Sequence, residues 1–133
     1  MSEPQVSLFK GGLFALLGLA LLAAMAINAS SRMGFLQSAL VADGAVVALN
    51  AGGSHPEIAF TDSTGARVSY PQGGLIFGYQ VGQPVKVHYQ ANDPTGSAVV
   101  DDFGALWGTA ALLGVLGAVF TATGLMTLFG RRP

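Results

Sequence analysis

The chain carries two histidines, and carboxylates lie close enough in sequence to suggest a metal site. His55 and Glu57 are two residues apart, so in a strand both side chains would point to the same face. Asp62 follows them, and His88 lies on the polar side of an alternating segment. A metal site needs a full ligand set, which these residues do not supply. We therefore predict no metal site and no cofactor.

Other patterns that support catalysis are missing from the sequence. No serine stands in a G-x-S-x-G turn, and the absence of cysteine excludes thiolate nucleophiles, thiolate metal sites and disulfides. The glycine pairs Gly11–Gly12 and Gly73–Gly74 lack the strand–loop–helix context and the Lys-Ser/Thr ending of a phosphate-binding loop. We predict no catalytic residues and a protein that is not an enzyme.

The composition is that of a membrane protein. Charged residues make up 10% of the chain, against about 25% in a typical globular protein. Hydrophobic residues reach 51%, more apolar surface than a soluble domain of 133 residues can bury. The net charge of −1 leaves no basic surface for nucleic acid, so we predict no nucleic-acid partner.

Two apolar segments are long enough to cross a bilayer as helices. Leu8–Ile27 contains Lys10 as its single charge, and Leu106–Phe129 contains no charge. About 20 helical residues rise about 30 Å, the thickness of a hydrocarbon core. The sequence Ala24-Met25-Ala26 fits a signal-peptide cleavage site, so removal of the first segment stays an alternative, although its length favours a retained helix.

Basic residues beside these segments predict the topology. Lys10 comes at the start of the first segment, and Arg131 and Arg132 follow the second, whereas only Arg32 lies near a segment on the opposite side. Because basic residues favour the cytoplasmic side, we predict a multi-pass protein of the plasma (inner) membrane with both termini in the cytoplasm. The middle domain would then be periplasmic or extracellular.

Small residues form a stripe on each predicted helix, at steps of three and four. Such stripes let helix backbones approach closely in lipid, so we predict that these residues pack helices together. The partner helix could belong to the same chain, to a homo-oligomer or to another membrane protein. The predicted helix-packing residues are Gly11, Ala15, Gly18, Ala110, Gly114, Gly117, Thr121 and Gly124.

Between the helices, short runs rich in Val, Ile, Phe and Tyr alternate with Gly, Asp, Ser and Pro, which predicts five or six strands. The fold class is therefore α+β: two transmembrane helices flank a small antiparallel β-barrel-like domain. The predicted boundaries are 1–30 for the first helix, 31–102 for the β domain, and 103–133 for the second helix with its basic tail. Residues Ser31 to Ser38 could extend the first helix beyond the membrane.

One apolar segment has two interpretations. Leu75 to Tyr79 follows Gly73–Gly74 and could form a core strand. Alternatively it is a surface loop that contacts lipid or a partner protein. The predicted contact residues are Leu75, Ile76, Phe77 and Tyr79.

Several short motifs resemble those of DUF3592, a family of unknown function. Pro56–Phe60 resembles its P-x-V/I-x-F strand, and Thr64–Val68 resembles its glycine hairpin. Tyr79–Tyr89 is similar to its Y-x-x-G-D-x-V-x-V-x-Y stretch, with Gln83 in place of Asp. The resemblance implies a membrane protein with a β domain between two helices and no known activity.

These observations favour a non-enzymatic membrane protein that acts through protein–protein contact, with its β domain outside the cytoplasm. One alternative is an accessory subunit of a larger transport, secretion or respiratory complex. A membrane-surface metal-dependent hydrolase is a further alternative, which depends on the histidines and carboxylates alone. The predicted partners are the lipid bilayer and either further copies of the chain or other membrane proteins.

Overall fold

The computed structural model describes residues 2–130 and shows an α+β protein with two long helices and one antiparallel sheet. Arg131 and Arg132, on which part of the predicted topology depends, lie outside the described residues. The elements in chain order are α1 (Glu3–Ser38), β1 (Leu40–Leu49), β2 (Pro56–Thr61), β3 (Arg67–Pro71), β4 (Pro84–Tyr89), α2 (Pro94–Ser97), β5 (Val99–Val100) and α3 (Phe103–Phe129).

Both long helices have the length and composition needed to cross a membrane. Helix α1 has 36 residues and continues past its apolar segment to Ser38, so residues Ser31 to Ser38 are helical, as predicted. Helix α3 has 27 residues, and none of them is ionisable. At about 1.5 Å per residue, α3 alone is longer than a hydrocarbon core is thick.

The parts of α1 up to Ala29 and of α3 from Ala110 form one compact unit, the helical unit. The two helix backbones approach closely where glycines face each other. A Cβ atom on Gly117 would lie 3.0 Å from the carbonyl oxygen of Gly18, and one on Gly124 would lie 2.6 Å from that of Gly11. Any larger residue at Gly124 would therefore force the backbones apart.

Residues 30–109 form a second compact unit, the β unit, which contains the sheet. The strand order is β3-β2-β1-β4-β5, with antiparallel pairing throughout. The predicted strand number is confirmed, but the sheet is a curled half-barrel and not a closed barrel. It stays open because β5 has only two residues, too few to pair along the length of β3.

A side chain bridges the two edges of this half-barrel. Gln72 follows β3 and is buried, and its Oε1 accepts hydrogen bonds from the Val100 amide of β5 at 2.8 Å and the Tyr70 hydroxyl at 2.9 Å. Its Nε2 donates to the carbonyl oxygen of Gly73 at 2.9 Å. One amide therefore satisfies polar groups that a closing strand would otherwise pair.

The concave side of the sheet holds the core. All five strands direct apolar side chains into it, with period-two alternation in β2, β3 and β4. Phe60 packs edge-to-face on Tyr70 with ring centroids 6.2 Å apart. The core residues are Val46, Ile58, Phe60, Val68, Tyr70, Ile76, Tyr79, Val87, Tyr89 and Val100.

Strands β2 and β3 form a hairpin, and an aspartate orders its turn. Asp62 Oδ1 accepts from the Thr64 hydroxyl at 2.6 Å, the Thr64 amide at 2.9 Å and the Ala66 amide at 3.0 Å. These bonds, that of the Thr64 hydroxyl above all, lower the pKa of the Asp62 carboxyl. Gly65 supplies the positive φ of 87° that this turn requires.

The segment Leu75–Tyr79 does not form a strand, so the core-strand interpretation is wrong. Gly74 precedes the segment and Gly78 lies within it, with φ angles of 103° and 80° that interrupt an extended backbone. The segment is therefore an irregular loop between β3 and β4.

Candidate functional site

The loop between β3 and β4 is anchored by side chains that point into the core. Ile76 is 1% exposed and Tyr79 is 7% exposed, although both were predicted to contact a partner. The Tyr79 hydroxyl donates to Asp102 Oδ2 at 2.5 Å, and the Tyr79 amide donates to the carbonyl oxygen of Gly53 at 3.1 Å. Burial, reinforced by the bond to Asp102, raises the pKa of the Tyr79 phenol above its usual value.

Two residues of the same loop remain on the surface. Phe77 is 77% exposed and Leu75 is 49% exposed. The Leu75 amide donates to the carbonyl oxygen of Gly104 at 3.3 Å, so the loop is tied to the first turn of α3. Backbone hydrogen bonds thus fix the loop that carries these exposed apolar side chains. Their role as contact residues stays a prediction.

Asp102 also caps α3. Its Oδ1 accepts from the Gly104 amide at 2.8 Å, which satisfies one of the free amides at the helix start. The neighbouring Asp101 instead faces His88, whose Nε2 lies 3.3 Å from Asp101 Oδ1.

The convex side of β1 and β4 carries charged side chains beside exposed apolar ones such as Val41. Asp43 and Lys86 are cross-strand partners, and their exposed side chains form an ion pair. With Asp101 and Tyr79 they line a cleft of about 300 Å³, which we call the polar cleft. Its full lining is Asp43, Tyr79, Gln83, Pro84, Val85, Lys86, Val100 and Asp101. The cleft therefore offers two carboxylates and one ammonium group to a partner.

The residues that suggested a metal site are not brought together. Glu57 accepts hydrogen bonds from Asn50 at 3.1 Å and from the Ser69 hydroxyl at 2.6 Å, and Asp62 is occupied in its turn. Among residues 2–130, no group of three or more His, Asp or Glu side chains could hold a metal ion.

The small residues predicted to pack helices lie along α1 and α3 of the helical unit. Gly11, Ala15 and Gly18 are the buried residues of α1. Opposite them, Gly124 approaches Gly11 and Ala15, and Gly18 lies against Gly117 and Thr121. Ala110 is buried, and Gly114 faces the Met25 side chain. Phe14 and Phe120 add an edge-to-face contact at 5.7 Å.

Two polar residues with structural roles were missed by sequence reasoning. Gln72 gave no local signal, because its partner Val100 is 28 residues away. Arg32 Nε donates to the carbonyl oxygen of Leu106 at 2.9 Å, and its guanidinium lies 5.6 Å from the Phe35 ring centroid. A lone cation just after an apolar segment was the available signal for Arg32.

The chain is 56% identical over 125 residues to immune protein Tsi4 of Pseudomonas aeruginosa, an alignment that covers 94% of this chain and 86% of the relative. No family model matches the chain, and no solved structure matches it. The assignment to DUF3592 is therefore wrong. The short motifs are present, but no model of that family matches the chain, and the relative that matches is an immune protein. The relative confirms that the protein is not an enzyme. With this identity over nearly its whole length, the chain belongs to the family of immune protein Tsi4.

Proposed function

We propose that this chain is an immune protein, which protects the cell that makes it by binding a toxic protein. The observation that carries the proposal is the 56% identity to immune protein Tsi4 over 94% of the chain. A protein that protects by contact needs a well-ordered surface and no catalytic groups, and the β unit offers such a surface.

The two long helices anchor this β unit in the inner membrane. Their lengths of 36 and 27 residues and their apolar composition support two spans. The basic residues nearest the spans in the sequence support cytoplasmic termini: Lys10, Arg131 and Arg132 lie towards the chain ends, and Arg32 lies beside a span on the opposite side. The β unit is then presented outside the cytoplasm, where it meets a toxin before the toxin reaches its target.

The polar cleft is the proposed contact surface for the toxin. Asp43 and Asp101 are 84% and 56% exposed in their side chains, so a partner's cationic groups can reach them beside Lys86 and His88. Complementary charges of this kind set specificity and speed of association more than raw affinity. We infer a basic contact surface on the toxin.

Deleting the gene in its own host tests the function. We expect the deletion strain to grow normally alone but to lose viability when grown in contact with its parent, and a plasmid copy of the full chain to restore survival. Mutations in the parent that abolish this inhibition then identify the toxin. Equal survival of deletion strain and parent in mixed culture would overturn the proposal.

Charge reversal tests the contact surface separately. We expect a plasmid copy with Asp43→Lys and Asp101→Lys to lose protection, because each change opposes a basic partner. Arg67→Glu on the edge strand β3 is a matched control that also reverses an exposed charge and should still protect. Full protection by the double variant would place the contact elsewhere on the β unit.

A further inference from the structure

The exposed apolar residues of the β3–β4 loop lie beside the first two turns of α3. A Cβ atom on Gly108 would be 3.1 Å from Leu75 Cβ, and one on Gly74 would be 3.2 Å from the Ala105 Cα. Together with the bond from the Leu75 amide to Gly104, these contacts fix Leu75 at the level of residues 104–108 of α3. Phe77, two residues further along, projects from the same loop and is 77% exposed.

Charged and polar groups mark that level as a water–hydrocarbon boundary. Asp101 and Asp102 immediately precede α3, and Arg32 bonds to the Leu106 carbonyl oxygen. From Phe103 onward α3 carries no ionisable residue to Phe129. Charges gather where a span leaves the bilayer, and aromatic side chains favour the same depth. Phe103 is 72% exposed at this position.

We propose that Phe77, Leu75 and Phe103 form a membrane-interface patch that inserts into the lipid headgroup region and holds the β unit against the bilayer. This inference rests on the proposed membrane anchoring. Exposed apolar rings at this depth lose their contact with water by entering lipid, so a lipid surface explains their exposure without a further protein.

Quenching of tryptophan fluorescence by lipids with brominated acyl chains tests the depth of Phe77. Each variant of the full chain, in vesicles of phosphatidylethanolamine and phosphatidylglycerol, carries one new tryptophan and Trp107→Phe, which removes the single tryptophan of the sequence. Phe77→Trp is the test variant, and its exposed position tolerates the change. Ser63→Trp is the control away from the bilayer, since Ser63 shares an open cleft with Leu40, beyond the end of α1. Val119→Trp, 52% exposed in α3, reports on the span itself.

We expect bromine to quench Phe77→Trp and Val119→Trp strongly and Ser63→Trp weakly, with blue-shifted emission from Phe77→Trp. Strong quenching at Val119→Trp with none at Phe77→Trp would overturn the inference while leaving the membrane anchor intact. Quenching at neither position would overturn both. A Phe77→Trp emission that shifts only when the toxin is added would also overturn it, because the patch would then be a protein contact.

Discussion

At the scale of single residues, buried polar groups decide whether the half-barrel holds together. Gln72 ties β5 to β3 through one amide, with hydrogen bonds to Val100, Tyr70 and Gly73. A buried donor that loses its hydrogen-bond partner lowers the stability of the fold more than an exposed donor does, because no water molecule replaces the lost bond.

Replacing Gln72 by leucine should therefore destabilise the β unit by about 2 kcal/mol, since the Val100 amide and the Tyr70 hydroxyl would lose their shared acceptor. Amide hydrogen exchange of Val100 in the detergent-solubilised chain measures the effect. Gln80→Leu is the matched control, because Gln80 is exposed. Equal exchange rates in the two variants would show that the Gln72 bridge contributes nothing.

The raised pKa values of two tyrosines predict that the folded state loses stability at alkaline pH. Burial raises the pKa of the Tyr70 and Tyr79 phenols above the usual value, and for Tyr79 the bond to Asp102 adds to the effect. In the unfolded chain both phenols release their protons near pH 10, before the folded chain does. Stability is thus full below about pH 10 and falls as the pH rises above it.

We expect the free energy of unfolding to fall above that pH by about 1.4 kcal/mol per pH unit for each phenol. Denaturant unfolding of the full chain in detergent at a series of alkaline pH values measures the slope. Tyr79→Phe should remove the contribution of one phenol to this pH dependence of the free energy of unfolding. An undiminished slope in that variant would show that Tyr79 does not contribute to it.

Of these residue-level features, sequence reasoning missed Gln72, whereas a helix cap such as Asp102 is accessible to it. A cap acts on amides a few residues away, so its position before an apolar helix is a usable signal. The Gln72 bridge joins strands that are neighbours only after the sheet has curled, and no local pattern encodes it.

At the scale of elements, the glycine contacts of the helical unit predict that α1 and α3 pair within one chain. The nearest atoms to a Cβ on Gly114 belong to the Met25 side chain, Sδ at 2.7 Å and Cγ at 3.7 Å. Replacing both residues by cysteine removes that side chain and places two thiols on the facing sides of the two helices, where oxidation can join them.

Oxidation of the Met25→Cys/Gly114→Cys variant in membranes should give an intrachain disulfide, seen as faster migration of the monomer in non-reducing gels. The chain has no native cysteine to interfere. Met25→Cys/Val115→Cys is the control, because Val115 is 62% exposed on another side of α3. Cross-linked dimers in place of intrachain bonds would show that the helices pair between chains.

Elements were predictable where one periodicity dominated. The strands alternate with period two on one buried face, and the helices are continuous apolar runs. Leu75–Tyr79 misled because its apolar residues resemble a strand, while Gly74 and Gly78 take positive φ angles that only the folded backbone reveals. In the structure its side chains divide between core and surface without regular alternation.

At the scale of the whole molecule, the proposed topology has the β unit outside the cytoplasm and both chain ends within it. Single cysteines at Ser63 and Ser2, both exposed, test this arrangement. A membrane-impermeant thiol reagent should label Ser63→Cys in intact cells and Ser2→Cys only after lysis. Labelling of Ser2→Cys alone in intact cells would reverse the topology.

The molecular function could not be predicted from sequence patterns. A protein that acts by contact needs no catalytic or metal-binding motif that a single sequence would show. The absence of a catalytic pattern and the membrane-type composition led to contact-based action in general terms. The immune role came from the relative, whose identity extends over 125 residues.

A direct binding measurement tests whether the chain protects the cell by binding the toxin. The full chain, purified in mild detergent, is mixed with the toxin that the mixed-culture genetics identifies, and complex formation is measured by size-exclusion chromatography and titration calorimetry. We predict a direct complex that Asp43→Lys with Asp101→Lys weakens and Arg67→Glu leaves unchanged. Protection of the cell by a chain that does not bind the toxin would contradict the account.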